Sequence, residues 1–140
     1  MHRDFEITDG IYLVQGTYEL DLHNCFDFNS LSYSVESRTL SLNWKRSDGD
    51  WVAVGTPNSV VVEFGDVSEF RFLPRDAELP FTEDDCVDTF GYWSDEEWAE
   101  GVILVGPEQD PDPKWPIAIE FRSGATIIVQ ATSACALIEP

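Results

Sequence analysis

Carboxylates are the groups in this chain with most scope for chemistry. There are 27 Asp and Glu against 8 Lys and Arg, and His2 and His23 are the sole imidazoles. The carboxylates are densest in residues 81–101, FTEDDCVDTFGYWSDEEWAEG, where eight of them occur without one Lys or Arg. Phe90, Tyr92, Trp93 and Trp98 are interleaved with these acids. Such a stretch suits a hard-metal site, a general acid and base pair, a surface for a basic partner, or a solvated loop.

A metal site is poorly served. Asp48 and Asp50, and Asp110 and Asp112, are oxygen ligands at i, i+2 spacing. Neither pair continues into the Gly and Glu positions of a calcium-binding EF-hand loop, so both read as turns. Two imidazoles, one of them at the terminus, are too few for a transition metal. Nucleophiles fare no better, since GxSxG, SxxK and HExxH are all absent. His23 and Cys25 would share one face of a strand at about 7 Å, but a Cys is more often a small buried apolar residue. No spacing among the acids singles out the two carboxyl groups that a glycosidase needs. GxGxxG and GxxxxGK are missing, so no phosphate cradle and no cofactor is expected.

What remains is recognition. A formal charge of -19 repels nucleic acid and anionic membranes and speeds encounter with a basic protein. Salt adaptation and plain solubility account for acidity too. As a docking face, residues 81–101 would use Asp84, Asp85, Asp88, Trp93, Asp95, Glu96, Glu97 and Trp98, the aromatics as anchors and the acids for steering.

The elements that must position these residues are strands. Leu31, Tyr33 and Val35 alternate with serines, residues 36–38 turn the chain, and Leu40, Leu42 and Trp44 alternate again. Ser47-Asp48-Gly49-Asp50 is a turn leading into a short strand, Trp51–Val54. Val60–Phe64 and Val67–Leu73 read as two strands around Gly65-Asp66. Ile117–Phe121 turns at Ser123-Gly124 into Thr126–Thr132, followed by a last short strand, Ala134–Ile138. Tyr18, Leu20 and Leu22 alternate near the start. Ser94-Asp95-Glu96-Glu97 has the form of a helix capping box, stopped at Gly101, and Thr82–Asp85 suits one helical turn. The 140 residues therefore suggest one all-β domain, an antiparallel sandwich or partly open barrel. Residues 81–101 become a long insertion carrying one or two short helical turns. The expected core is Leu31, Tyr33, Val35, Leu40, Leu42, Trp44, Val60, Val62, Phe70, Phe72, Ile117, Ile119, Phe121 and Ile128.

Cys25, Cys86 and Cys135 are odd in number and form no CxxC. Residues 1–20 lack the apolar core of a secretory signal, and no run of about 18 apolar residues would span a membrane. A cytoplasmic protein with reduced thiols is expected.

Three segments, SRTLSLNWKRSDGDW (37–51), VVVEFGDVSEFRF (60–72) and IAIEFRSGATIIVQATSACAL (117–137), follow one another as a Trp-bearing hairpin, a strand pair with Phe64, Val67 and Phe70 at F-x-x-V-x-x-F spacing, and a closing hairpin. This succession resembles the small β-rich immunity proteins of bacterial polymorphic toxin systems. The resemblance spans about half of the chain and leaves residues 81–101 without a counterpart. It implies a cytoplasmic, non-catalytic protein that neutralises a basic toxin domain by covering it, with no catalytic residue to carry over. Two alternatives stand beside it. One is a small-ligand-binding barrel lined by Trp44, Trp51, Tyr33 and Phe121; the other is a carboxylate-dependent hydrolase.

Overall fold

Alternating apolar residues have nowhere to go but one face of a sheet, and eleven strands result among the described residues. The computed structural model describes residues 1–95, 101–106 and 108–140. The strands are β1 (His2–Arg3), β2 (Glu6–Thr8), β3 (Tyr12–Gln15), β4 (Tyr18–Asp21), β5 (Phe26–Ser34), β6 (Thr39–Arg46), β7 (Ser59–Leu73), β8 (Val87–Ser94), β9 (Gly101–Ile103), β10 (Ile117–Phe121) and β11 (Thr126–Glu139). The large sheet runs β5-β6-β7-β11-β10-β8-β9, antiparallel throughout, with β1 added parallel to β11. It curls into a half-barrel, and β2-β3-β4 form a small second sheet. The protein is all-β, as its alternation implies.

The concave face of the half-barrel holds Leu40, Leu42, Trp44, Val60, Val62, Phe64, Ile117, Ile119 and Phe121, all buried. Leu13, Leu20 and Leu22 of the small sheet, with Phe5, close the same core from the other side. The convex face is covered only locally, where Trp93, Ala118 and Ile128 pack together with Leu73 and Val102.

Four expected strands are redrawn. Val60–Phe64 and Val67–Leu73 are a single strand of 15 residues, because β11 runs alongside for 14 and supplies hydrogen-bond partners throughout. Gly65 is there for close approach, since a Cβ at that position would meet the Ser133 Oγ at 2.9 Å. The departure from regularity falls next to it, where Ser68 stands unopposed in the ladder and Asp66 takes a φ of 51°. Ala134–Ile138 likewise continues β11 as part of the same strand. Trp51–Val54 is not a strand: it turns, Trp51 is exposed, and its indole N–H donates to the Asn24 carbonyl at 2.6 Å.

Tyr33, Val35 and Phe72 are exposed, contrary to the expected core. Strand lengths explain this. β6 covers β7 only from Ser59 to Phe64, so beyond Val67 the strand β7 has β11 on one side but no strand on the β6 side to help cover its inner face. Phe70 is covered in part by the Tyr33 ring, 6.0 Å away, and Phe72 is left at the rim. Val35 lies in the hairpin turn.

Residues 81–101 are not an insertion between sheet strands. Their middle is β8, paired to β10 on one side and β9 on the other. Val87, Phe90, Tyr92 and Trp93 are buried there. Of the expected helical turns, Phe81–Asp84 forms one turn of 3-10 helix. Ser94 ends β8 as a buried strand residue and Gly101 opens β9, while the rest of the expected capping box, Glu96 and Glu97, lies outside the described residues.

Candidate functional site

Because β8 is a strand, it pulls the acidic stretch apart. An eight-residue strand rises about 3.3 Å per residue. The carboxylates before Val87 and Asp95, just after Ser94, thus lie at opposite ends of the strand, roughly 20 Å or more apart. They do not make one patch.

At the far end, Trp93 is buried and its indole N–H donates to Asp95 at 2.5 Å. Arg71 completes the group, donating to Asp95 at 3.2 Å, pairing with Glu69 at 2.8 Å and lying over the Trp93 ring. The Trp93 hydrogen bond, with Arg71 second, holds the Asp95 carboxyl below its usual range. Trp93 therefore packs the sheet, and Asp95 is supplied with donors by its own chain. Glu96, Glu97 and Trp98 lie outside the described residues.

At the near end, neighbouring acids have different surroundings. Asp84 accepts from the Arg75 Nε at 2.9 and 3.1 Å. That hydrogen bond, then one with Ser123, lowers its carboxyl. Arg75 is fully engaged, for it also donates to the Leu79 and Pro80 carbonyls and stacks 4.8 Å from the Phe81 ring centroid. Glu83 pairs with Arg122 at 3.4 Å. Asp85 has no ion pair among the described residues. Burial, and then the charges of Asp27 and Glu83, push its carboxyl up. Asp27 reaches this place because the Phe28 N–H donates to the Asp85 carbonyl at 2.8 Å, tying the start of β5 to the end of the 3-10 turn. Lys45 stands across the strand pair from Asp27 without closing an ion pair. Asp88, exposed at the start of β8, is one residue further along. Its charge, after burial, raises Glu120 on β10.

Asp84 and Asp85 border a groove of about 340 Å3 between β5, the end of β7 and the 3-10 turn. Phe28, Leu31, Phe72, Phe81 and Phe121 line it, with Asp84 and Asp85 at its rim. As a site member, Phe121 was named in the sequence only as the lining of a ligand cavity, and Asp27, Phe28, Leu31 and Phe72 carried no mark there as site members. They lie on strands far apart in the chain, and only the pairing of β5, β8 and β10 assembles them. Phe81 opens the acidic stretch itself and carried the one available signal.

A larger cleft, about 560 Å3, lies between β2, the Phe90–Tyr92 part of β8 and residues 104–111. Arg3 sits in it, donating to the Tyr92 hydroxyl at 2.5 Å and lying over the Phe5 and Tyr92 rings. The four aromatics expected to line a ligand cavity do not converge. Trp44 and Phe121 are buried in the core, where Phe28 packs against both. Trp51 and Tyr33 face solvent elsewhere.

His23 and Cys25 lie in the turn after β4, not on a strand. The thiol beside His23 is Cys86, 3.6 Å from its Nδ1. That nitrogen also contacts the Val87 carbonyl at 2.5 Å, and a carbonyl only accepts, so Nδ1 carries the proton and cannot take one from the thiol. Burial raises the Cys86 thiol, and Cys25 and Cys135 are raised in the same way. None is set up as a thiolate. Among the described residues, no group of three or more His, Cys, Asp or Glu could hold a metal ion, and no helix is long and apolar enough to cross a membrane.

No protein-family model matches the chain, and no curated protein or solved structure is similar to it.

Proposed function

We propose that this chain is a non-catalytic module that binds a basic protein through the near end of its acidic stretch. One observation carries this reading. Asp27 and Asp85 lie together beside the groove, Asp88 and Glu120 form a second close pair on β8 and β10, and Asp85 and Glu120 are held up by burial and by these neighbouring acids. A cationic group arriving there would relieve that repulsion, so the site favours a positive partner over water. Of the docking residues expected from the sequence, Asp85 and Asp88 are central, and Asp84 holds Arg75 at the rim. Trp93 and Asp95 belong to the other end, and Glu96, Glu97 and Trp98 lie outside the described residues.

The likeness of residues 37–51, 60–72 and 117–137 to immunity proteins gives this reading its particular form. The partner would be a basic toxin domain, met in the cytoplasm and neutralised by being covered. The net charge of -19 supports a protein partner over nucleic acid or an anionic membrane.

The 560 Å3 cleft favours a second reading, a small-ligand-binding protein, with Arg3 as the polar contact. A carboxylate-dependent hydrolase would draw on Asp85 and Asp27, which lie together beside the groove.

Capture from a cell extract at low and moderate salt tests the reading. Wild type is compared with a variant carrying Asp27, Asp85 and Asp88 as Asn, and with one carrying Asp48, Asp110 and Asp112 as Asn. A basic protein should be retained by wild type and by the second variant, and lost from the first. Equal loss from both variants would reduce the effect to bulk charge. Retention by all three would remove Asp27, Asp85 and Asp88 from the interface.

A further inference from the structure

We propose that the groove beside β5 seats an extended segment of the partner, one apolar side chain lying against Phe28, Leu31 and Phe121 and an adjacent Lys or Arg paired to Asp85. This site presupposes the protein-binding reading above and gives it a place and a chemistry.

Exposure points to the groove first. Phe81 is 81% exposed and Phe72 53% exposed, both lining the groove, while Phe28, Leu31 and Phe121 form a less exposed floor. Large apolar side chains left in water around a concavity mark an interaction surface. At about 340 Å3 the groove sits at the small end of the range for ligand sites, a size suited to one or two side chains of a larger partner.

Charge names the occupant. Arg75 is the one cation lining the groove among the described residues, and Asp84, the Leu79 and Pro80 carbonyls and the Phe81 ring already hold it. Asp85 is left at the rim with Asp27 behind it and no counter-ion among the described residues, so the complementary group is a cation. The apolar floor and acidic rim together ask for alternating apolar and basic side chains. The shape of the occupant follows from β5. It is the outermost strand of the large sheet at this end, and beyond Phe28 only β6 pairs with it, so its other edge can accept an extended chain.

The test uses two synthetic peptides of equal length and charge, one alternating Lys with Val and one alternating Lys with Ser, titrated by calorimetry at moderate salt. Wild type should bind the Lys–Val peptide at one site and at least tenfold more tightly than the Lys–Ser peptide. Phe81→Ala, a change at an exposed position that leaves the core intact, should bring the Lys–Val affinity down to the Lys–Ser level. Asp85→Asn should weaken the Lys–Val peptide severalfold. If wild type binds the two peptides equally, or Phe81→Ala leaves the tenfold gap, the groove proposal is wrong and the charge-based reading survives. If wild type binds neither peptide even at low salt, the basic-partner reading fails and the groove falls with it. Should wild type sediment as a dimer that Phe81→Ala dissociates, the occupant is a second copy of this chain, which also overturns the proposal.

Discussion

Asp84 and Asp85 are adjacent in the chain and sit in opposite electrostatic settings. Arg75 lowers the first; burial, Asp27 and Glu83 raise the second. The signs follow by linkage. Asp84 contributes stability that is present above the ordinary carboxyl value of 3.8 and is lost as pH falls through its lowered folded value. For Asp85 the contribution is present below 3.8 and lost as pH rises through its raised folded value, so at neutral pH its charge works against folding. At pH 7, Asp84→Asn should therefore destabilise the protein, by about 0.2–1 kcal/mol for so exposed an ion pair, and Asp85→Asn should stabilise it. Urea unfolding measured from pH 7 to pH 3 should show the Asp85→Asn advantage shrinking toward zero at the acid end. A destabilised Asp85→Asn at pH 7 would mean that a counter-charge already meets this carboxylate. None of this contrast was legible in the string Glu83-Asp84-Asp85, because Arg75 and Asp27 reach it only through the fold.

β8 shows what alternation can and cannot reveal at the scale of an element. The hairpin β5–β6, the strand β4 and the turn at Ser123-Gly124 were readable, since each presents polar and apolar residues in strict period two between turn residues. In β8 the apolar residues Phe90, Tyr92 and Trp93 break that period, because the middle of the sheet is covered on both faces. Trp93 buries itself on the convex face against Ala118 and Ile128 while Phe90 fills the concave core. The acids on either side then made the whole run look like a solvated insertion. The Gly65-Asp66 pair misled in a similar way, resembling a turn while serving a close approach to Ser133 within a long strand. Trp93→Ala should accordingly lower stability by about 3–5 kcal/mol, the range for truncating a buried aromatic. Thermal or urea unfolding would show it, and a loss under about 1 kcal/mol would return Trp93 to the surface as an anchor. Gly91→Ala should also be costly, for a Cβ there would meet the Ile103 carbonyl oxygen at 2.5 Å and force β9 away from β8.

Over the whole molecule, the arrangement of charge matters more than its sum. Four of the arginines, Arg38, Arg71, Arg75 and Arg122, are held in ion pairs with Asp66, Glu69 and Asp95, Asp84, and Glu83. Half of the eight Lys and Arg are thus paired at the surface with the protein's own acids, and the excess of carboxylates sets up a negative field around the molecule. Screening confines that field to about 8 Å at physiological salt, so it speeds encounter but leaves the choice of partner to shape and contact. The groove between β5 and the 3-10 turn supplies both. Hydrogen exchange on this protein, alone and bound to the basic partner retained from extract, tests the account most directly. Protection on binding should concentrate in residues 26–31 and 81–88, at the groove and the acids around it. Protection confined to residues 6–10 and 104–111 would place the partner at the opposite cleft and contradict it.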